Sequence, residues 1–283
     1  MEQTLQEAVR AAAGRLADAG VPSPRVDAEL LAAHLLGTSV GSVRARMLTG
    51  AKAPAGYEDL VAERARRIPL QHITGKAYFR HLELHVGPGV FIPRPETESV
   101  VQLALDWIGS SGLAAPVVVD LGTGSGAIAG SVAQEVPQAR VHAVEKSPLA
   151  FAWAELNLRP LGVDLVLGDL RDAFGELDGT VDVVVSNPPY IPAAAVPREP
   201  EVAGHDPQEA LYGGGEDGLQ LPLAAAASAA RLLRPGGFFV MEHAEVQAPE
   251  ILARLARDGH WEQVRTHQDL NAKDRATSAV RSK

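Results

Sequence analysis

Val117-Val118-Val119-Asp120-Leu121-Gly122-Thr123-Gly124-Ser125-Gly126 reads as a strand that turns sharply into a helix. Residues 117–121 are apolar apart from one aspartate, as expected of a strand buried on both faces. Three glycines in the next five residues let the backbone approach a bound nucleoside closely, and the N-terminus of the following helix favours an acceptor-rich or anionic group. A plain turn would not need three. Working outward, strands are expected at 140–144, 163–167, 181–185, 237–241, 261–265 and 276–281. Helices are expected at about 96–108, 126–135, 148–158, 218–233 and 246–257. Apolar, β-branched strands interleaved with helices predict an α/β fold, a mostly parallel sheet covered on both faces.

Residues 1–75 read instead as a small helical bundle. Thr4-x-x-Glu7 is a capping box ahead of Leu5, Val9, Ala12 and Leu16 at helical spacing. Further helices are expected from Pro24 to Gly37, Val40 to Leu48 and Tyr57 to Arg67, the last stopped before Pro69. Arg64, Arg66 and Arg67 read as a solvated helix surface, or as a basic face for a partner. Residues 77–92 alternate in strand fashion around Gly87-Pro88-Gly89 and predict a hairpin linker spanning 76–95. The remainder, 96–283, reads as a single α/β domain, expected to hold the site, with a long Pro- and Gly-rich loop at 192–217.

Composition narrows the function. With 46% hydrophobic and 22% charged residues the chain is of globular type, neither disordered nor fibrous. It has no cysteine, which excludes thiolate catalysis, Cys-ligated zinc and disulfides. The first ten residues lack a basic n-region and an apolar core, and no apolar run nears the ~20 residues of a spanning helix. A soluble, cytoplasmic protein without a membrane partner is expected. The first 86 residues hold 11 Lys/Arg and 9 Asp/Glu, and the other 197 hold 15 and 26. So acidic a body is poorly suited to a nucleic-acid duplex, whose affinity comes from cations neutralising phosphates.

Three more segments carry chemistry. Glu145, ending the strand after the glycine loop, can accept both hydroxyls of a ribose. Asp169, ending the next strand, can accept from an adenine amino group, or simply close an Asx turn. Neither separates a nicotinamide cofactor from S-adenosylmethionine, and Gly122-x-Gly124-x-x-Ala127 also fits the loose dinucleotide pattern. The deciding stretch is Asn187-Pro188-Pro189-Tyr190, after the apolar strand VDVVVS. Its prolines force extended geometry. The Asn187 side-chain oxygen and the Pro188 carbonyl can each accept one hydrogen of a planar NH2 group, with Tyr190 stacked on that group. A dehydrogenase gives this tetrapeptide no role.

DLGTGSG with NPPY resembles the class I S-adenosylmethionine-dependent methyltransferases that modify planar amino groups. Gln71-His72-Ile73-Thr74-Gly75, Phe91-Ile92-Pro93-Arg94-Pro95-Glu96-Thr97-Glu98 and the Gly213-to-Leu219 loop narrow the resemblance to the HemK/PrmC family. The resemblance implies a Rossmann-like seven-stranded sheet and N5 methylation of glutamine in the Gly-Gly-Gln loop of peptide chain release factors. It further implies that Gly122, Thr123, Gly124, Ser125 and Gly126 hold the methionine end of S-adenosyl-L-methionine, Glu145 the ribose, and Asp169 with Leu170 the adenine. Asn187, which also borders the cofactor, Pro188, Pro189 and Tyr190 would hold the substrate amide. Asn187, Pro188 and Tyr190 would thus be the catalytic set, with S-adenosyl-L-homocysteine as product. No metal is needed, because the sulfonium already activates the methyl. A monomer and no direct nucleic-acid partner are expected. Alternatives are a ribosomal-protein glutamine methyltransferase and a DNA adenine-N6 methyltransferase. The chain departs from the family pattern at Glu145 (usually aspartate), at His205-Asp206-Pro207 and at Ala272 (usually glycine). No general base is assigned; His72, His205 and His243 are the histidines a pH–rate profile would have to test.

Overall fold

The computed structural model describes residues 3–283 and separates into two units. One unit holds the first 76 residues with Pro197–His205, and the other holds Ala77–Val196 with Asp206–Lys283.

In the first unit, α1 (Leu5–Asp18) starts at the expected capping box: Glu7 N donates to Thr4 Oγ1 at 3.3 Å and Thr4 N to Glu7 Oε2 at 3.0 Å. Its buried face is Leu5, Ala8, Val9, Ala12 and Leu16. Helix α2 (Pro24–Leu36) places proline in the first turn, where the missing N–H leaves no bond unmade. Then come α3 (Val40–Leu48), α4 (Tyr57–Ala65) and a single turn, α5 (Leu70–Thr74), that patterning did not reveal. Helix α4 ends two residues short of expectation because Arg67 turns left-handed, φ 65°. Its guanidinium donates to both oxygens of Glu201, at 2.7 and 2.6 Å, and to Gly20 O at 3.0 Å. Arg64 is buried and bridges Asp27 (2.7 Å) and Glu201 (2.9 Å). The expected solvated or partner-facing arginine surface is therefore corrected. Two of its three members are internal ties, and only Arg66 of the three is exposed.

The hairpin is β1 (Lys76–Phe79) and β2 (Leu82–His85), so its turn is Arg80-His81 and not Gly87-Pro88-Gly89. Arg80 adopts φ 50°, held by its N–H donating to Glu98 Oε1 at 3.0 Å and by an ion pair with Glu135 at 2.6 Å. Gly87 serves packing instead: a Cβ there would lie 2.5 Å from the Trp153 ring. Ala77, Phe79, Leu82 and Leu84 are buried in the core of the sheet unit, so the expected linker is built into that unit.

The sheet unit continues with α6 (Thr97–Ser111), β3 (Val117–Leu121), α7 (Ala127–Glu135), β4 (Arg140–Glu145), α8 (Pro148–Leu158), β5 (Asp164–Leu167) and β6 (Val181–Ser186). The stretch read as one long loop contains α9 (Pro200–His205), part of the first unit, and α10 (Gln208–Leu211). Then follow α11 (Gln220–Leu232), β7 (Leu233–Glu242), α12 (Ala248–Asp258), β8 (Trp261–Gln268) and β9 (Asp274–Arg281). The seven strands run in the order β5-β4-β3-β6-β7-β9-β8, parallel except where β9 pairs with β7 and β8. Val118, Val183 and Val185 face one core with α6, α7 and α8; Val119, Val181 and Val184 face the other with α11 and α12. The order reverses between β3 and β6, where open α/β sheets form their ligand crevice.

Candidate active site

Register decides which residues share the crevice. Leu121 pairs with Val144, Glu145 with Leu167, and Asp120 with Val185, so the C-terminal ends of β3, β4, β5 and β6 lie along one edge. That edge carries Gly122–Gly126, Glu145, Asp169 and Asn187. Gly122 and Gly124 take φ 81° and 59°, and a Cβ at either would meet open space. The space lies beside backbone that only glycine adopts without strain.

Asp120 anchors this loop. Its Oδ2 accepts from Thr123 Oγ1 (2.6 Å) and Ala129 N (3.1 Å), tying the loop to the first turn of α7. Complete burial pushes its carboxyl up to about 7, and Oδ1 has no hydrogen-bond partner. Glu145 accepts from Gly124 N and Ser147 N, both at 2.8 Å, one on each oxygen. Burial raises its pKa against those bonds. An ionised carboxylate has about four acceptor positions, so the group is not saturated by these bonds. Asp169 closes an Asx turn, accepting from Arg171 N at 3.0 Å, and pairs with Lys146 at 3.1 Å. Burial opposes its charge, but the Arg171 N–H and Lys146 win and hold its carboxyl below the usual range. Leu170 beside it is buried.

The tetrapeptide is held from behind. Ser186 Oγ donates to Leu121 O at 2.7 Å, joining β6 to β3 just before Asn187. Asn187 Nδ2 donates to Thr97 Oγ1 at 3.1 Å, and Thr97 Oγ1 donates to Glu242 Oε2 at 2.6 Å. Tyr190 OH donates to the other oxygen, Glu242 Oε1, at 3.1 Å. Burial raises Glu242 and Tyr190 above their ordinary pKa values, with the charge of Arg275 opposing the rise at both. Gln247 Nε2 donates to Tyr190 O and Asp217 O, each at 2.8 Å. Ile191 N donates to Leu211 O at 2.8 Å and Gly213 N to Ile191 O at 3.0 Å. Gly213 fits so closely that a Cβ would lie 2.7 Å from Pro189 O and 2.8 Å from the Tyr190 Cα. Pro188 is buried, and its carbonyl takes no hydrogen bond from the described residues.

These contacts assign mechanical tasks to Phe91, Arg94, Thr97 and Glu98 of FIPRPETE. Arg94 stacks on Phe91 at 5.2 Å and pairs with the buried Asp206 at 2.9 Å, one of the residues that depart from the family pattern. Thr97 orients Asn187, and Glu98 holds the hairpin turn. His243 has both ring nitrogens engaged, Nδ1 with Ala244 O at 3.0 Å and Nε2 with Thr277 Oγ1 at 2.8 Å, and burial lowers its pKa. It is a neutral structural group, not a poised base. His72 and His205 belong to the first unit.

The chain is 52% identical over 272 residues to the release factor glutamine methyltransferase of Streptomyces coelicolor, covering 96% of each. It is 47% identical over 280 residues to that of Mycolicibacterium smegmatis, covering 98% of each. The chain belongs to the HemK/PrmC family of release factor glutamine methyltransferases. The family's PrmC N-terminal domain matches residues 7–75, and the methyltransferase small domain matches 82–199. Another relative is the 4-amino-L-phenylalanine/4-methylamino-L-phenylalanine methyltransferase of Streptomyces pristinaespiralis, 40% identical over 99% of this chain and 96% of its own. Among solved structures, the hMettl16 catalytic domain aligns over 79% of this chain and 82% of its own with a TM-score of 0.55 at 15% identity. A Pyrococcus furiosus methyltransferase aligns over 71% and 90% with a TM-score of 0.51 at 19% identity. At such identities the likeness is one of fold.

Sequence patterning does not reveal three residues that hold the candidate site in place. Thr97 has no local signal, because its partners lie 90 and 145 residues away. Glu242 ends the strand GFFVM, where an acid reads as the strand's exposed end, although it is buried. Asn157 donates from Nδ2 to His85 O and Ser125 O, both at 2.9 Å, and so joins the hairpin to the glycine loop. Only the helical spacing of α8, which turns Asn157 back toward the loop, could have suggested it.

Proposed function

We propose that the chain methylates the side-chain amide nitrogen (N5) of the glutamine in the Gly-Gly-Gln loop of peptide chain release factors, using S-adenosyl-L-methionine and releasing S-adenosyl-L-homocysteine. The observation that carries this reading is the orientation of the Asn187 amide. Its nitrogen is spent on Thr97, so its oxygen is the end left to accept a hydrogen from the substrate. With the Pro188 carbonyl it makes a pair of acceptors suited to an NH2 group, and a carboxylate would meet only lone pairs there.

The cofactor fits the residues present. The open space beside Gly122 and Gly124, the unpartnered Asp120 Oδ1 and the spare acceptor positions of Glu145 suit a cationic amino-acid tail and a ribose. Gly122, Thr123, Gly124, Ser125 and Gly126 are proposed to hold the methionine end, Glu145 the ribose hydroxyls, and Asp169 with Leu170 the adenine. When bound, S-adenosylmethionine supplies a methyl group made electrophilic by a sulfonium.

An amide nitrogen is a poor nucleophile, because its lone pair is delocalised into the carbonyl. Asn187 and Pro188 are proposed to draw on its two hydrogens, raising electron density on nitrogen and fixing its approach. Tyr190, immobilised by Glu242 and Gln247, stacks on the amide plane, with Pro189 keeping the tetrapeptide rigid. Positioning and preorganised dipoles thus supply the rate. The methylated, protonated amide is acidic enough to lose its proton to water. The N-terminal helical unit (1–75) is proposed to recognise the release factor, and the catalytic part (96–283), with the hairpin region (76–95) packed into its core, to carry out the transfer. The chain is proposed to act as a cytoplasmic monomer without direct contact to nucleic acid.

The relative acting on 4-amino-L-phenylalanine supports a second reading, since an aryl amine also presents two coplanar hydrogens. Incubation with methyl-labelled cofactor, purified release factor and free 4-amino-L-phenylalanine, followed by mapping of the label, separates them. Label on the glutamine of the Gly-Gly-Gln loop is expected. Label on the free amino acid alone, or on neither, refutes the proposal.

A further inference from the structure

We infer that Glu242, acting through Thr97, sets which end of the Asn187 amide faces the substrate and so makes the site select a group that carries NH2 hydrogens. The inference deepens the proposed function and rests on it for the identity of the substrate. Glu242 and Thr97 are positioning residues.

A chain of hydrogen-bond directions carries the argument. Glu242 is 2% exposed, and its two oxygens receive the hydroxyls of Thr97 at 2.6 Å and Tyr190 at 3.1 Å. Both hydroxyls donate, so each Glu242 oxygen acts here as an acceptor. Thr97 has one hydroxyl hydrogen. Once that hydrogen points at Glu242, the oxygen can only accept from Asn187, 3.1 Å away. The donor there must be Nδ2, and Oδ1 is turned the other way. A flipped amide would set Oδ1 against the lone pairs of the buried Thr97 hydroxyl with no hydrogen between them, leaving two acceptors opposed. A glutamine at position 242 would break the relay: its NH2 would force one of the two hydroxyls to reverse, and a reversed Thr97 would favour the flipped Asn187. The acid thus transmits polarity over two bonds to an atom it does not touch, and the same acid fixes the Tyr190 hydroxyl.

The test uses the full-length chain, purified release factor and a form of that factor with the loop glutamine changed to glutamate. Thr97→Val removes the hydroxyl at nearly the same volume, Thr97→Ser keeps it, and Glu242→Gln removes the acceptor-only character. NMR hydrogen exchange of the Asn187 side-chain NH2 reports its bond to Thr97 without any reaction. Exchange is expected to stay slow in wild type and Thr97→Ser, and to quicken by about 10-fold or more in Thr97→Val. In turnover, Thr97→Val should lower kcat about 10–100-fold with cofactor Kd within about 2-fold, Thr97→Ser should stay within about 3-fold, and Glu242→Gln should fall between them. With the amide free to flip, the glutamate form of the factor should inhibit Thr97→Val at concentrations at least about 10-fold lower than wild type. Unchanged Asn187 exchange in Thr97→Val, or equal loss in Thr97→Ser and Thr97→Val, overturns the inference. A wild-type chain that leaves release factors unmethylated refutes the proposed function instead, and the exchange measurement still decides how the amide is held.

Discussion

Asn187 and Ala272 mark the two ends of what single residues do in this chain. Asn187 sits at a strand end with one amide hydrogen committed and its oxygen turned away from Thr97. Asn187→Ala should leave cofactor affinity within about 3-fold while lowering turnover by about 10²–10³, the usual loss on removing one oriented polar group at a reacting centre. Isothermal titration and initial rates check this, and equal loss of both would contradict the assigned role. Ala272 concerns stability alone. It holds φ 59° at the β8–β9 turn, where a side chain costs about 1–2 kcal/mol. Glycine removes that strain but gives back about 0.4–1 kcal/mol in the unfolded chain. Ala272→Gly should therefore add about 0.5–1 kcal/mol and raise Tm by roughly 1–3 °C with activity unchanged. A calorimetric scan showing no rise would mean that the turn is already relaxed.

At the scale of elements, the segment Leu211–Leu219 is fitted to the tetrapeptide by backbone hydrogen bonds, by a missing side chain at Gly213 and by Gln247. Gly213→Ala would drive a Cβ into Pro189 O and the Tyr190 Cα. It should cost at least about 3 kcal/mol or displace the tetrapeptide, abolishing turnover while the cofactor loop stays intact. Circular dichroism melts with cofactor titration distinguish the two, and a fully active, equally stable variant would refute the fit. The same element shows where sequence reading stops. Strand periodicity and glycine punctuation made β3 to β6 and their helices legible to within a residue or two. The capping box of α1 was legible because all its partners are local. The hairpin turn was misplaced because Gly-Pro-Gly is a strong local turn signal, whereas Arg80 owes its left-handed backbone to Glu98 and Glu135, distant in sequence. The roles of Thr97, Glu242 and Asn157 were hidden for the same reason, each resting on a side chain that meets groups from another element.

At the scale of the whole molecule, charge balance misled where burial decided. Three arginines in four residues look like a surface, yet Arg64 and Arg67 converge on Glu201. Burial opposes the charge of Glu201, but hydrogen bonds from Arg67 and Arg64 and from the Glu201 backbone outweigh it and hold the carboxyl at about 2, against an ordinary 4.5. Between those values the unfolded chain binds the proton and the folded chain does not. The stability it contributes is therefore present above about pH 4.5 and lost as pH falls toward 2. Urea midpoints measured at pH 7 and pH 3 should show wild type losing more than Glu201→Gln on acidification, and parallel losses would deny the clamp. Glu201 also lies far along the chain from the helices it braces, in a segment that clusters with them. Replacing the leading helices by ones without arginines at positions 64 and 67 would leave Glu201 without its cations. The two separated stretches of this unit, the leading helices and Pro197–His205, therefore have to change together for the clamp to survive.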